Sequence, residues 1–324
     1  MSDFKSAVAK ELREYLAIRQ MTLAPGGFKY DCTVLGEFDR YFAGQSTAEK
    51  VITEEVINGW IQHLRTRNHS RTVSNKVSCL RCFLRYLRYC GVTIFMPQCP
   101  KWHEDYLPYI FSETEMERIF IRADKTKPGC VIAFEISILI RVLYGCGLRH
   151  GEALRLIRSD VDFNRGTLFL RQPKNQKQRI VPMHPTLTEM LMRYCAAMDI
   201  SDKPDALLFP GATPETPLSM SCVGLHFRAI LEAENIYIPS EKRWQRGQCI
   251  HCLRHVFAVN SFAQAERNGR SIADSVPYLS IYLGHFDMDG TEKYLKFSSD
   301  IFPEHTEMFE VYSTDVFSVL GGAK

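Results

Sequence analysis

The stretch IHCLRHVFAVN, residues 250–260, places two histidines and an arginine within five positions of an otherwise apolar segment. If the stretch is a helix, its 3.6-residue period puts His251, Arg254 and His255 on one face and the large apolar side chains on another. The apolar face can enter a core, which leaves three donor-bearing side chains to converge on an anion such as a phosphate. The alternative is a partly buried helix edge with ordinary satisfied histidines, so other segments must distinguish the two interpretations.

Length and composition describe an ordinary globular chain with room for two domains. It has 324 residues, 45% of them hydrophobic, and a formal net charge of +3. The longest apolar run, near residues 130–144, is interrupted by Glu135 and Arg141 and is shorter than the roughly 20 residues of a membrane helix. The start lacks the apolar region of a signal peptide. We therefore expect a cytoplasmic protein without a membrane partner.

Cysteine usage agrees with a reducing compartment. Eleven cysteines, an odd number, are scattered through predicted helices. Reduced thiols are therefore expected rather than a disulfide framework. Two Cys-x-x-Cys pairs, Cys79/Cys82 and Cys249/Cys252, lie far apart on predicted helices without the tight turns of a zinc site. The sequence predicts no metal and no other cofactor.

Positive charge is concentrated in one part of the chain. Residues 56–103 contain eight lysines and arginines and not one acidic residue. A solvated basic face is the ordinary explanation of a short charge run, but a run of this length without acidic partners favours a surface that follows phosphates. The DNA-contacting residues predicted from this run are Arg71, Lys76, Arg81 and Arg85.

Helix signals dominate the first hundred residues. Amphipathic helices are predicted at 4–20 and 30–42, with the break Pro25-Gly26-Gly27 between them. Thr53 can cap a third helix because its hydroxyl can accept a backbone N–H of the first turn. Ser70 starts a fourth helix, which carries most of the basic run.

A change of amino-acid composition separates this region from the rest of the chain. Prolines at positions 97, 100 and 108 break the helical pattern and mark a domain boundary. A new helix follows at Ser112, where Ser-Glu-Thr-Glu forms a capping box with Glu115.

The second domain is predicted to be helical with one β interruption. Short β-prone runs at 167–170 and 179–181 flank a polar stretch, which predicts a hairpin with a basic tip. The sequence as a whole therefore predicts a mainly α fold with a small β-sheet, of the α+β class.

Two further segments of the second domain carry reactive residue types. In YGCGLRHGEALRLIRSDVDF, residues 144–163, Arg149 follows a glycine-rich helix break and Glu152 lies one turn on, where it can support the guanidinium. In YLGHFDMDGTEKYL, residues 282–295, His285 precedes Tyr294 by nine positions. Each motif is weak alone, and their order and spacing provide the signal.

That order is Gly-Leu-Arg-x-x-Glu, Lys-x-x-Lys-x-Arg-x-Val-Pro, His-x-Leu-Arg-His, and Leu-Gly-His with a tyrosine nine residues on. It resembles the catalytic domain of the tyrosine recombinases, also called the phage integrase family. The resemblance covers residues 108–297, and the helical region 1–100 resembles the core-binding domain of that family. It implies a helical, SAM-like DNA-binding domain at 1–100, a linker at 101–110 and a catalytic domain at 111–297. The apolar tail at 298–324 either packs on its own domain or is exchanged between protomers, as in related recombinases.

The resemblance also implies roles for single residues. Arg149 and Arg254 correspond to the two catalytic arginines, and Lys174 to the hairpin lysine that acts as acid. His251 corresponds to the base, His285 to the second histidine and Tyr294 to the nucleophile. Supporting positions are Glu152, Asp160 and His255. Further DNA contacts are expected from Lys177 and Arg179 at the hairpin and from Lys242 and Arg243 in an added loop at 237–248. Where Gly-Lys-Gly is common, the chain has Pro173-Lys174-Asn175, so Lys177 stays an alternative to Lys174.

The function implied is site-specific cutting and rejoining of DNA strands through a 3′-phosphotyrosyl intermediate, without metal or ATP. The implied setting is a homotetramer on synapsed DNA with inverted-repeat core sites in a bacterial nucleoid, assisted by accessory DNA-bending or directionality factors. Its use would be the integration, excision or transposition of a mobile element. Two alternatives stay open, a type IB-like topoisomerase and a catalytically silent DNA-binding regulator.

Overall fold

The computed structural model describes residues 4–45, 50–102, 108–125, 131–171, 178–239, 247–284 and 291. The described residues up to 102 form one compact unit, and those from 108 onward form a second. Each unit has an apolar core of its own. Helices dominate both units and strands are short, so the predicted fold class is confirmed.

The first unit is built around a bundle of helices. Its described elements are α1 (Ala9–Thr22), α2 (Pro25–Ala43), α3 (Glu54–Arg65) and α4 (Ser70–Tyr89), with the strands β1 (Val51–Ile52) and β2 (Thr93–Ile94). The two strands pair in parallel. Trp60 of α3 is completely buried in the core, and its ring meets Phe38 of α2 edge-on with centroids 5.3 Å apart.

Two helix starts differ from the sequence predictions. The first helix begins at Ala9 rather than Phe4, because the chain before it is tied to α2: the N–H of Ser6 donates to the carboxylate of Asp39 (3.1 Å). The second helix begins at Pro25, so Pro25-Gly26-Gly27 forms its first turn instead of a break. Proline suits this position because the first N–H groups of a helix have no partner within the helix.

The second unit follows in a helix-sheet-helix order. Its described helices are α5 (Glu113–Asp124), α6 (Val131–Cys146), α7 (His150–Ala153), α8 (Pro185–Ala197), α9 (Met220–Ala233), α10 (Cys252–Arg267) and α11 (Ile272–Leu283). Its strands are β3 (Val161–Asp162), β4 (Thr167–Leu170) and β5 (Arg179–Pro182), which form an antiparallel sheet in the order β3-β4-β5.

Both predicted helix caps are confirmed. The Thr53 hydroxyl accepts the N–H of Val56 at the start of α3 (3.4 Å). At the start of α5, Ser112 accepts the N–H of Glu115 (3.2 Å) and the Glu115 carboxylate accepts the N–H of Ser112 (2.8 Å). These local bonds satisfy N–H groups that would otherwise lack a partner.

The pairing of β4 with β5 decides which residues of the hairpin face inward. Leu168 is opposite Val181 and Leu170 is opposite Arg179. Leu168, Leu170 and Val181 are buried, while Ile180 is 63% exposed. Because side chains alternate along a strand and paired residues share a face, Arg179 points to the interior side of the sheet.

Among the described residues, no helix is long and apolar enough to cross a membrane. The ten cysteines within the described ranges are free thiols. In those same ranges, no cluster of histidine, cysteine and acidic side chains has the arrangement of a metal site.

Candidate active site

A tight turn between α6 and α7 brings Arg149 into position. Gly147 adopts a positive φ of 60°, a conformation that glycine accepts at little cost. An added Cβ there would lie 2.4 Å from Cδ1 of Phe257, so the ring of Phe257 on α10 also requires a glycine. Leu148 is buried and anchors the turn. Arg149 follows at the start of α7, with its side chain 38% exposed.

Glu152 supports Arg149 as the sequence spacing predicted. Its Oε1 accepts a hydrogen bond from Nη1 of Arg149, and its Oε2 accepts the backbone N–H of the same residue, both at 2.9 Å. Burial by itself would raise the pKa of this carboxyl. The hydrogen bonds and positive charge of Arg179, together with the hydrogen bonds from Arg149, outweigh burial and lower the pKa of Glu152 to about 2. The carboxylate is therefore charged at neutral pH.

Arg254 is buried, contrary to the simple picture of a half-exposed basic face on α10. Only 2% of the residue is exposed. Its Nη1 donates to the carbonyl of Gly147 and its Nη2 to the carbonyl of Leu283, both at 2.8 Å. The guanidinium therefore joins the turn before Arg149 to the end of α11, two segments far apart in the sequence.

The two arginines meet at the end of α11. Nη2 of Arg149 donates to the carbonyl of Gly284 at 2.9 Å, next to the Leu283 carbonyl that accepts from Arg254. Gly284 has a φ of 66°, the left-handed conformation that ends many helices. Two guanidinium groups are thus fixed against consecutive peptide units, immediately before the position of His285.

The two histidines of the opening stretch, His251 and His255, lie close together at the start of α10. His251 immediately precedes α10 and His255 lies one turn into it. Their rings are nearly perpendicular, with centroids 4.8 Å apart. Both residues are partly buried. The structure therefore places His251, Arg254 and His255 on one helical segment, where Arg254 is buried and the two histidines are more accessible.

Arg179 has a partner that the sequence analysis did not assign. Its side chain is 11% exposed and its two terminal nitrogens donate to the two carboxylate oxygens of Glu152, at 3.2 Å and 2.7 Å. Its positive charge and its place in the hairpin predicted a DNA contact for Arg179. The signal that could have indicated the interior is its spacing of two residues from the buried Val181.

Asp160 is a buried carboxylate close to Glu152. It accepts the N–H of Ile157 at 3.0 Å, and Nε of Arg171 lies 2.8 Å from its Oδ1 in an ion pair without the alignment of a hydrogen bond. A cavity of about 180 Å³ lies between Asp160 and Glu152, lined further by Arg155 and Arg171. Asp160 thus shapes the turn after α7. Its hydrogen bond and ion pair among the described residues are with Ile157 and Arg171, and neither is with Arg149 or Arg254.

Several predicted site residues lie outside the described residues: Lys174, Lys177, Lys242, Arg243, His285 and Tyr294. Thr291, three positions before Tyr294, is described and is fully buried.

The basic run of the first unit is less uniform than its sequence. Arg85 is exposed on α4, and the guanidinium of Arg71 lies 4.4 Å from the centroid of the Trp102 ring. Arg81 contacts the sulfur of Cys99 at 3.8 Å. Lys76 differs from these arginines, because its ammonium lies 2.6 Å from Glu37 of α2 and its side chain is 14% exposed. The acid-free run therefore acquires an acidic partner from another helix.

Comparisons with known proteins agree with this geometry. The sequence profile described as the phage integrase family matches residues 110–298. The chain is 30% identical to the integrase/recombinase homologue y4rE of Sinorhizobium fredii over 60% of its own length and 61% of that protein, so the match spans less than two thirds of this relative. It is 26% identical to the homologue y4rB of the same organism over 96% of the chain and 98% of that protein.

A solved structure shows the same fold. The Tn1549 transposon integrase, in complex with a circular intermediate DNA, is 14% identical and superposes with a TM-score of 0.69, covering 90% of this chain and 94% of the other. The family match extends over more than half of the chain. The chain belongs to the phage integrase family of tyrosine recombinases, whose activity is site-specific DNA recombination.

Proposed function

We propose that the protein cuts and rejoins DNA through a 3′-phosphotyrosyl intermediate formed on Tyr294. The observation that carries this proposal is the convergence of Arg149 and Arg254 on the consecutive carbonyls of Leu283 and Gly284. Transfer of a phosphodiester to a tyrosine adds negative charge to the nonbridging oxygens in the transition state. Two fixed guanidinium groups meet that charge without reorganisation, which is the largest single contribution in many enzymes.

Proton transfer completes the proposed chemistry. Tyrosine has an ordinary pKa near 10, so the attacking phenol must lose its proton during the reaction. We assign His251 as the base and His285 as the second catalytic histidine, with His255 in a supporting position. The leaving 5′ oxygen needs a proton, which we assign to Lys174, with Lys177 as the alternative. Because the phosphotyrosyl bond conserves the energy of the phosphodiester, strand exchange needs no ATP, and the arginines supply the positive charge that a metal would.

The experiment is cleavage of a suicide duplex by purified protein in the presence of a chelator, analysed on a denaturing gel with either DNA end labelled. Wild-type protein should give a covalent band attached to the 3′ side of the break. Tyr294→Phe removes one oxygen and little volume, so the variant should bind DNA with unchanged affinity and give no covalent band.

The matched control is Tyr278→Phe, because Tyr278 is 65% exposed on α11 and its ring contacts Arg270. This variant should cleave like wild type. A covalent band in Tyr294→Phe, or a band on the 5′ side, would contradict the assignment of the nucleophile. Loss of activity on addition of the chelator would contradict metal independence.

The same assay separates the two alternative functions. A type IB-like topoisomerase would form the covalent band and relax supercoiled DNA but would not exchange strands between two sites. A catalytically silent regulator would bind the duplex without forming the band. We favour the recombinase because Arg149, Arg254 and Glu152 lie together in the described residues and because the family match is to the phage integrases.

We further propose that the protein serves a mobile element and acts as a homotetramer on two synapsed sites with inverted-repeat core sequences. The Tn1549 integrase, which shares the fold, is a transposon protein in complex with DNA. A two-site recombination assay with DNA flanking the gene tests this proposal, and omission of host extract tests the need for accessory factors.

We propose that the tail, residues 298–324, joins the protomers, so deletion after Ser299 should preserve single-site binding and impair synapsis.

A further inference from the structure

The burial of Arg179 is unexpected for a residue that contacts DNA. Its side chain is 11% exposed, whereas that of Arg149 is 38% exposed. Strand alternation explains the difference, because Arg179 shares the inner face of the sheet with Leu170 and Val181. A phosphate approaching from solvent can therefore meet Arg149, while Arg179 lies behind it.

Arg179 and Arg149 both donate hydrogen bonds to the carboxylate of Glu152. Oε1 of Glu152 accepts from Nη1 of Arg149 (2.9 Å) and Nη1 of Arg179 (3.2 Å). Oε2 accepts from the backbone N–H of Arg149 (2.9 Å) and from Nη2 of Arg179 (2.7 Å). Each oxygen receives two donors, which is about as many as a carboxylate oxygen accepts. The orientation of Glu152 is therefore fixed from two sides.

Arg179 also contacts the second partner of Arg149. A Cβ added at Gly284 would lie 2.7 Å from Nη1 of Arg179. The carbonyl of this same glycine accepts the other amino group of Arg149. Both groups that hold the Arg149 guanidinium are thus in contact with Arg179.

Arg179 also changes the net charge of the group that it forms with Arg149 and Glu152. With Arg149 alone, Glu152 would form a neutral ion pair and would cancel the charge that a phosphate needs. Because a second guanidinium shares the carboxylate, the three groups together keep a net positive charge next to Arg254. In a partly buried site such a charge acts on a substrate far more strongly than in water.

We propose that Arg179 is a positioning residue for Arg149 rather than a DNA contact: it fixes Glu152, packs beside Gly284, keeps the cluster positive, and ties strand β5 of the hairpin to the catalytic arginine. This inference rests on the proposed function, because its measure is the rate of DNA cleavage. It replaces the role in DNA contact that charge alone suggested for Arg179.

The test compares Arg179→Gln and Arg179→Lys with Arg165→Gln, a control at an arginine in the turn between β3 and β4 whose side chain is 81% exposed. Single-turnover cleavage of the suicide duplex by Arg179→Gln should be about 10- to 100-fold slower at pH 7.5. Its DNA affinity, and the dependence of that affinity on salt, should match wild type. Arg179→Lys should restore only part of the rate, because an ammonium cannot hold both carboxylate oxygens in a fixed plane.

A pH profile distinguishes positioning from general destabilisation. The charged groups around Glu152 are Arg149 and Arg179 in contact with it, and Arg155, Asp160 and Arg171 around the adjoining cavity. Arg179 makes the largest contribution that lowers the pKa of Glu152, which burial otherwise raises. As pH falls, cleavage by Arg179→Gln should therefore begin to decline at a higher pH than wild-type cleavage does through this carboxyl.

Three results would overturn the inference: a weaker DNA affinity with a smaller salt dependence, which indicates a phosphate contact; full rescue by Arg179→Lys; or a pH profile parallel to that of wild type. Thermal melting of each variant checks folding, and Arg179→Lys keeps the test informative if Arg179→Gln fails to fold. If wild-type protein forms no covalent band, the proposed function itself fails, and the affinity measurements still decide whether Arg179 contacts DNA.

Discussion

Arginine side chains have different surroundings in the two units of this protein. On α4 of the first unit, side chains such as Arg85 are exposed on the surface of a helix. In the second unit, Arg254 is 2% exposed and Arg179 is held by a carboxylate. An exposed cation can follow a phosphate backbone but has a variable geometry, whereas a fixed cation has one geometry. The density of charge along the sequence does not reveal this difference, which depends on the partners that each cation finds in the fold.

The largest effect should come from removing the buried arginine. Arg254→Ala should slow cleavage by about 100- to 1000-fold, because it removes fixed donors from the transition state. It also leaves the carbonyls of Gly147 and Leu283 without this donor, so the midpoint of thermal unfolding should fall. Single-turnover cleavage and thermal melting measure the two effects. A variant that cleaves normally would show that burial does not mark the catalytic arginines.

The next effect concerns the pH dependence of stability. The pKa of Glu152 is lowered to about 2, so its contribution to the free energy of unfolding is present above the ordinary pKa near 4.5 and is lost as pH falls toward 2. The loss should be about 3 kcal/mol. Urea unfolding between pH 7 and pH 3 should show about 2 kcal/mol of this loss, because the folded-state carboxyl is still mostly charged at pH 3. The loss is measured as the difference between wild type and Glu152→Gln, whose own stability should not vary through this group. Parallel curves for the two proteins would mean that Glu152 is not held as an anion.

The smallest effect should distinguish two cations on the same helix. Arg85→Ala should weaken DNA binding by about 1 kcal/mol and lower the salt slope of the affinity by about 1. Lys76→Ala should leave the salt slope unchanged and reduce stability instead, because Lys76 is paired with Glu37 and only 14% exposed. Binding isotherms at several salt concentrations measure both. Equal slopes for the two variants would remove the distinction drawn between exposed and paired cations.

Local sequence rules predicted the local features of the structure. The caps at Thr53 and Ser112 and the strands of the hairpin follow from residues a few positions apart, since turn and cap chemistry acts over that distance. The contact between Arg149 and Glu152 follows for the same reason. The helix starting at Pro25 was misread because proline ends one helix and begins another with the same sequence signal.

The remaining features of the site depend on tertiary contacts that sequence spacing does not encode. The carbonyl acceptors of Arg254 belong to Gly147 and Leu283, which lie 107 and 29 positions away. Backbone carbonyls occur at every residue, so no residue type identifies them. Lys76 likewise finds Glu37 through the packing of α4 on α2. The direction of Arg179 was available from strand alternation, but its charge suggested the opposite conclusion.

The end of α11 gives the arginine cluster a role in the dynamics of the protein. The partial negative charge at a helix C-terminus is stabilised by cations, and here the last carbonyls of α11 receive Arg149 and Arg254. A DNA phosphate that takes donors from these arginines competes with the helix for them, and by reciprocity a loosened helix end would release donors to the phosphate. We therefore expect substrate binding to increase hydrogen exchange at the last turn of α11.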